Sequence, residues 1–425
     1  MTEARRLRTT PLHDLHIQQQ ANLAEFGGYE MPLWYPTGAK AEHLAVIERA
    51  GLFDTSHMAV LSLAGDGAFD LLQQCFSRDL NRCLGKEPGP LKPHRSIYGL
   101  FLKPDGSVLD DALVSELDGR RYMVVVNSAM GPVVAKHLQQ FAAPSVQIMD
   151  HTDRIGKIDL QGPAAVKILE PLLADPESVF AEMPYFSFVG DIFPGAVRPL
   201  VLADGTPLLL SRSGYTGEFG FELFCAGSDT GHIWRSLLQA GAPYGLIACG
   251  LAARDSLRTG AMLPLSHQDI GDWKFGNTPW SFALPLGPDG RGFTKPFIGA
   301  EALQAGSPYH TYGFAGYDPR KIAATPASEV QTKDGECIGT ILTCTTDMAI
   351  DRVGTAIVSI ATPVSQGRPQ PFQPRGLSCG FIRINRVHKT GETVLLVAGK
   401  RKIEVEIRNQ IRPDRTARRA ITELR

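Results

Sequence analysis

Several things are missing from this 425-residue chain, and each absence closes off a class of protein. No apolar run approaches the roughly 20 residues that span a bilayer. No Cys-x-x-Cys pair occurs, and the seven cysteines (Cys75, Cys83, Cys225, Cys249, Cys337, Cys344 and Cys379) are odd in number and scattered. That argues against a structural zinc and against a secreted disulfide scaffold. Charge bias is also lacking: 43 Lys and Arg oppose 44 Asp and Glu, a net charge of −1. Bulk electrostatics therefore implies neither a nucleic-acid partner nor a membrane surface. Arg5, Arg6 and Arg8 are not followed by an apolar core, so no signal peptide is expected and a cytoplasmic protein is. A dinucleotide or phosphate loop is absent as well, because the glycines of residues 214–220 have the wrong spacing and no lysine follows.

What remains is ordinary globular composition, 43% hydrophobic, in a chain long enough for two to four domains. The most unusual stretch is 104–114. Pro104-Asp105-Gly106 is turn chemistry, followed by Val108 and Leu109, two acids at Asp110 and Asp111, then Ala112, Leu113 and Val114. Neighbouring strand residues point to opposite faces, so only one aspartate can look into a given cavity and the other needs solvent or a buried partner. Two readings stay open on these residues: a hairpin with an acid at its exposed mouth, or a carboxylate placed to orient or deprotonate a substrate nitrogen.

Along the chain, Thr9-Thr10-Pro11-Leu12 reads as a turn starting a helix through 18–25, broken at 26–32. A helix is expected over 39–50 with Gly51 as its C-cap, strands over 60–63 and 96–102, and an amphipathic helix over 67–75. His57, beside Ser56 and Thr55, reads as a hydrogen-bonded structural histidine rather than a catalytic one. Residues 121–127 form a buried strand ending in Asn127, either at a binding loop or as a helix N-cap. Further strands are expected at 155–160, 198–202 and 208–211, with helices over 164–173 and 230–240. Residues 213–223 make a glycine-rich loop that enters a strand and carries Tyr215 for stacking and Glu222 for hydrogen bonds to a flat heterocycle. Arg254 and Arg258, spaced i and i+4, are either an exposed ion-pair face or carboxylate binders. From about residue 308 short strands lie between glycines and prolines, which predicts a separate all-β barrel or sandwich. Basic residues 412–419 read as a frayed end.

Eight short motifs in fixed order give the chain a family resemblance. They are Thr10-Pro11-Leu12, residues 26–32, residues 51–58 ending in Ser56-His57-Met58, Val108-Leu109-Asp110-Asp111, Leu160-Gln161-Gly162-Pro163, residues 214–218, residues 250–258, and Phe297-Ile298-Gly299. Over most of its length the chain resembles the T-protein of the glycine cleavage system, the aminomethyltransferase family. The resemblance implies an α+β, three-domain cloverleaf around a central tetrahydrofolate site with an all-β C-terminal domain. The implied units are 1–306, as two interleaved parts (about 1–55 with 140–250, and 56–139 with 251–306), and a barrel or jelly-roll over 307–425. It implies aminomethyl transfer from the lipoyl arm of H-protein to tetrahydrofolate, with release of ammonia. Carried over residue by residue, the essential acid falls on Asp111, and the folate contacts on Met58, Tyr98, Asn127, Tyr215, Glu222 and Arg254. Arg254 is placed to reach the pterin or to hold Glu222. The chain departs from the family pattern at Thr259-Gly260-Ala261-Met262, at Ser266-His267 where the family usually has Tyr-Gly, and at the Arg412-Pro413-Asp414-Arg415 tail. Those departures leave a second reading, a tetrahydrofolate-dependent demethylase acting on a small N-, O- or S-methyl donor. A third, a non-catalytic folate-binding module, conflicts with the retained Asp111 and with Ala248-Cys249-Gly250-Leu251 where such relatives carry Lys-Gly-Cys-Tyr.

Overall fold

Two sheets facing each other organise the first three quarters of the chain. The computed structural model describes residues 6–85, 87–181, 183–194, 196 and 200–425. The first sheet runs Phe188–Val189, Pro207–Ser211, Gly220–Ala226, Ile155–Gln161, Gly51–Asp54, Ile247–Cys249, with Leu200–Val201 added beside Pro207–Ser211. Period-2 alternation sorts its side chains. Leu52, Ile158, Leu160, Phe221 and Leu223 pack under the helices Ala165–Leu169 and Thr230–Gly241, against Ile233, Trp234 and Leu237. Each such fully buried side chain contributes roughly 1.5–3 kcal/mol. Lys157, Asp159 and Glu222 alternate with these residues and so lie on the opposite, inner face.

The second sheet is antiparallel throughout, in the order Arg95–Leu102, Val108–Glu116, Arg121–Val126, Ala59–Ala64, Gln147–Asp150. Its hairpin is closed by Gly106 at φ +79°, with Asp105 Oδ1 accepting from the Ser107 amide at 2.9 Å. Ala112, Val114, Val124 and Val126 pack against the helices Ala68–Cys75 and Gly131–Gln139. The alternating residues Leu113 and Val125 turn inward to meet Phe188, Leu209 and Phe224 of the first sheet. Gln147–Asp150 pairs with Ala59–Ala64 at the edge of this sheet.

The C-terminal region is a closed six-stranded barrel, His310–Gly316, Leu377–Ile384, Cys337–Asp347, Ser328–Gln331, Thr393–Ala398, Arg401–Arg408, completed by pairing of the first strand with the last. Ring closure decides for a barrel over a sandwich. The strands Ser328–Gln331 and Ile350–Val353 have only four residues each, too few for a period to register in the sequence.

Other expectations are corrected by tertiary pairing. The first helix spans only His13–Gln18, and Asn22–Phe26 is instead a strand joined to Tyr29–Trp34 through Gly27 and Gly28, both at positive φ. Gly51 opens a fully buried strand rather than capping Ala39–Glu48; a Cβ there would sit 2.5 Å from Val46 Cγ2 and 2.7 Å from Cys249 Sγ. The strand expected over 198–202 is described only from Leu200, and Arg198, like the first five residues, lies outside the described residues. The basic tail is not frayed. Arg412 is buried and donates to Asp347 (2.6 Å), Glu218 (3.2 Å), Leu257 O (3.2 Å) and Thr216 O, which ties the barrel strand ending at Asp347 to the 214–219 loop and to the helix Leu251–Gly260. Thr416 Oγ1 donates to Glu218 at 2.7 Å, and Arg212 donates to the carbonyls of Ala417 and Arg419.

Candidate active site

Where the inner faces of the two sheets diverge they enclose a cavity of about 250 Å³. All seven positions singled out in the sequence line it: Met58, Tyr98, Asp111, Asn127, Tyr215, Glu222 and Arg254. Leu113, Val125, Tyr185, Phe186 and Phe282 supply apolar wall, and the loop residues Leu263, Pro264 and Leu265 close one side.

One end of the cavity is built on strand Val108–Glu116. Strand alternation sends Asp111 into the cavity and Asp110 into full burial behind it. Tyr98, on the adjacent strand, donates its hydroxyl to Asp111 Oδ2 at 2.8 Å. Asn127 at the end of Arg121–Val126 is not a helix cap. Its Nδ2 donates to Asp111 Oδ1 (2.5 Å) and Asp110 Oδ1 (2.8 Å), and its backbone amide to Asp110 Oδ2 (2.9 Å). Ser266 Oγ adds a third neutral donor to Asp110 at 2.7 Å. Burial and then the neighbouring Asp110 charge raise the Asp111 carboxyl to about 7, against the opposing pull of the Tyr98 and Asn127 hydrogen bonds. A carboxyl poised near neutrality, in a cleft and within reach of a ligand, is suited to proton transfer.

The other end is an ion-pair network on the first sheet. Glu222 and Asp159 are cross-strand partners. Lys157 Nζ donates to Asp159 Oδ1 and Glu222 Oε1, both at 2.6 Å, and to Thr55 Oγ1 at 3.1 Å. Arg254 Nη1 donates to Asp159 Oδ2 at 3.0 Å and lies over the Tyr215 ring, 4.9 Å from its centroid. Burial pushes the Asp159 carboxyl up, but Lys157 and Arg254 more than offset it and hold it below the usual carboxylate range. Of the two expectations for Arg254, holding Glu222 is corrected: Arg254 secures Asp159, while Lys157 and Ser213 secure Glu222. Lys157 and Asp159 went unremarked in the sequence, although Lys-x-Asp in an apolar strand places both on one face. Arg258 is neither exposed nor in the cavity. It is buried against Asp255, Asp269 and Thr343.

His57 lines the cavity at 1% exposure, packed edge-on to Phe26 at 5.5 Å. Its Nδ1 has no hydrogen-bond partner among the described residues, whereas Ser56 and Thr55 bond to Lys157 O. The expected hydrogen-bonded histidine is thus an unpaired one, and burial together with the Arg254 charge lowers it to about 4. It is a neutral imidazole at physiological pH. Arg418, from the tail assigned to fraying, also lines the cavity and lies 5.6 Å over the Tyr185 ring.

Residues 12–274 match the family model described as the GCVT N-terminal domain. An aminomethyltransferase of Geobacillus kaustophilus (strain HTA426) is 33% identical over 389 residues, covering 87% of this chain and 95% of that protein. An aminomethyltransferase of Bacillus subtilis (strain 168) is 36% identical over 269 residues, 62% of this chain and 67% of that one. The crystal structure of glycine cleavage system aminomethyltransferase T from Bartonella henselae superposes with a TM-score of 0.75 at 25% identity, covering 98% of this chain and 99% of that chain.

Proposed function

The chain belongs to the GCVT family, and from that premise we propose that it transfers an aminomethyl group from the lipoyl arm of a carrier H-protein to tetrahydrofolate. In the balanced reaction the carbon–sulfur bond to the lipoyl thiol breaks, the carbon joins two folate nitrogens as 5,10-methylenetetrahydrofolate, ammonia leaves, and the carrier regains its thiol. One observation carries the reading: the seven positions implicated by resemblance come from separate strands, loops and one helix, yet line a single cavity with a carboxyl group at each end.

The cavity chemistry fits a folate. Its walls are aromatic and apolar, Glu222 offers carboxylate oxygens to amino and ring N–H groups, and His57 Nδ1 is an orphaned buried polar atom awaiting a partner. Bound tetrahydrofolate supplies the nucleophilic nitrogens that take up the carbon. Lys157 and Ser213 hold Glu222 in one orientation, and Arg254 and Asp159 brace that end. Met58 and Tyr215 supply wall contacts. Asp111, oriented by Tyr98 and Asn127, holds or releases a proton near neutral pH, and we assign it the proton transfer that accompanies ammonia departure.

The relatives are named aminomethyltransferases, so the demethylase alternative is not favoured. Among the described residues no helix is long and apolar enough to cross a membrane, and we place the protein in the cytoplasm. Single-turnover conversion of tetrahydrofolate with aminomethylated H-protein tests the proposal. Methylenetetrahydrofolate and ammonia in equal amounts are expected. Folate binding without turnover would overturn the assigned donor.

A further inference from the structure

We propose that His267 is a positioning residue for this reaction: paired with the buried Asp110, it sets the charge behind Asp111 and so the pH at which Asp111 exchanges its proton. The inference rests on the reading of Asp111 as the proton-transferring group.

Asp110 is fully buried, and its three hydrogen bonds all come from neutral donors, Asn127 N, Asn127 Nδ2 and Ser266 Oγ. Among the described residues the cationic group paired with it is His267, whose Nε2 lies 3.6 Å from Asp110 Oδ1. That is ion-pair distance rather than a hydrogen bond. The imidazole is 43% exposed and trades protons with solvent, which the carboxyl behind it cannot. Asn127 Nδ2 bonds to both aspartates at once, so the charge on Asp110 is felt directly at Asp111.

The loop bearing His267 is built to hold this geometry. Asp269 is buried and accepts from Arg258, from Thr343 Oγ1 (2.6 Å) and from the Leu265 amide (2.9 Å). Tyr215 donates to Pro264 O, and Trp280 Nε1 to Met262 O at 2.9 Å. His267 itself sits at φ +61°, a conformation that non-glycine residues adopt only when their surroundings impose it.

The charged surroundings are few. Asp110, Asp111 and Asp272 act on His267, and Asp272 is itself paired with Lys103 at 2.6 Å on the solvent side. Asp111 faces Asp110, Tyr98 and Asn127. Asp110 raises the His267 pKa above the ordinary imidazole value, against the opposing effect of burial, so the protonated imidazole is favoured beside it. A protonated His267 offsets Asp110 and lets Asp111 ionise more readily; a neutral one leaves Asp110 uncompensated and holds the Asp111 proton.

The test compares wild type with H267N, which tolerates the left-handed backbone, and H267K, which keeps a fixed cation. The single-turnover pH profile and the calorimetric proton uptake on tetrahydrofolate binding, measured in two buffers from pH 6 to 8.5, report the same midpoint. H267N should move that midpoint up and H267K down, each by roughly half a unit to one unit, with plateau folate affinity retained. Coincident midpoints in all three proteins, even with slower turnover, would reduce His267 to a structural residue and overturn the inference alone. A wild type that binds no folate, or a D111N variant with an unchanged proton-uptake profile, sinks the functional reading and this inference with it.

Discussion

Replacing Asp111 by asparagine should make the protein more stable as the pH rises while abolishing turnover. In the folded state the carboxyl is raised from 3.8 to about 7 by burial and the Asp110 charge. A raised carboxyl means that the folded protein holds a proton which the unfolded chain has already lost. Stability therefore falls as pH rises from about 4 through about 7. Three units at about 1.4 kcal/mol each give a ceiling near 4 kcal/mol at pH 8, of which roughly 3 kcal/mol develops between pH 5 and pH 8. Water entering the cavity screens the charge, so roughly half of that pH-dependent part is the expected gain. An amide offers one acceptor oxygen, so Tyr98 or Asn127 loses its partner at a cost of about 1 kcal/mol, but that cost is the same at every pH. Thermal midpoints of D111N and wild type at pH 5, 6.5 and 8 isolate the effect, because all other titrating groups are shared. A D111N advantage that stays flat from pH 5 to pH 8 would refute a raised Asp111 and the proton-transfer role built on it.

Three other perturbations have defined outcomes. R412M removes a buried cation shared by Asp347 and Glu218 and should cost about 3–5 kcal/mol, read as a lowered thermal midpoint; a shift matching under about 1 kcal/mol contradicts the clamp. E222Q should weaken tetrahydrofolate binding roughly 10- to 100-fold by calorimetry, in line with loss of a charged hydrogen bond, and unchanged affinity would remove Glu222 from the folate contacts. Y98F deletes a hydrogen bond that lowers the Asp111 pKa, so the midpoint of the rate profile should move to higher pH, and a downward shift would reverse the electrostatic assignment.

Two of the stretches that the sequence set apart from the family pattern meet in space. Gly260 accepts a hydrogen bond from the Arg412 amide at 2.9 Å, and a Cβ at Gly260 would lie 1.9 Å from Asp347 Oδ2. A side chain there would displace the ion pair that anchors the tail, so Gly260 and Arg412 depend on one another through Asp347. Nothing in the spacing of residues 260 and 412 suggests it.

Local chemistry alone determined a good part of this protein. The Pro-Asp-Gly turn, the alternation through 108–114, the amphipathic helix at 68–75 and the longer barrel strands follow from backbone preferences and periods written within ten residues. Ordered motifs contain four of the seven positions that line the cavity, Met58, Asp111, Tyr215 and Arg254, and the resemblance they establish marked Tyr98, Asn127 and Glu222. Tertiary structure decided the partners. It gave Glu222 to Lys157 and Arg254 to Asp159, left His57 Nδ1 unpaired, turned an expected helix into a strand at 22–26, and buried a tail whose composition reads as solvated. The reason is electrostatic as much as topological. Burying a charged side chain is costly until a counter-charge arrives, and the counter-charges of Arg412 are 65 residues away at Asp347 and 194 away at Glu218.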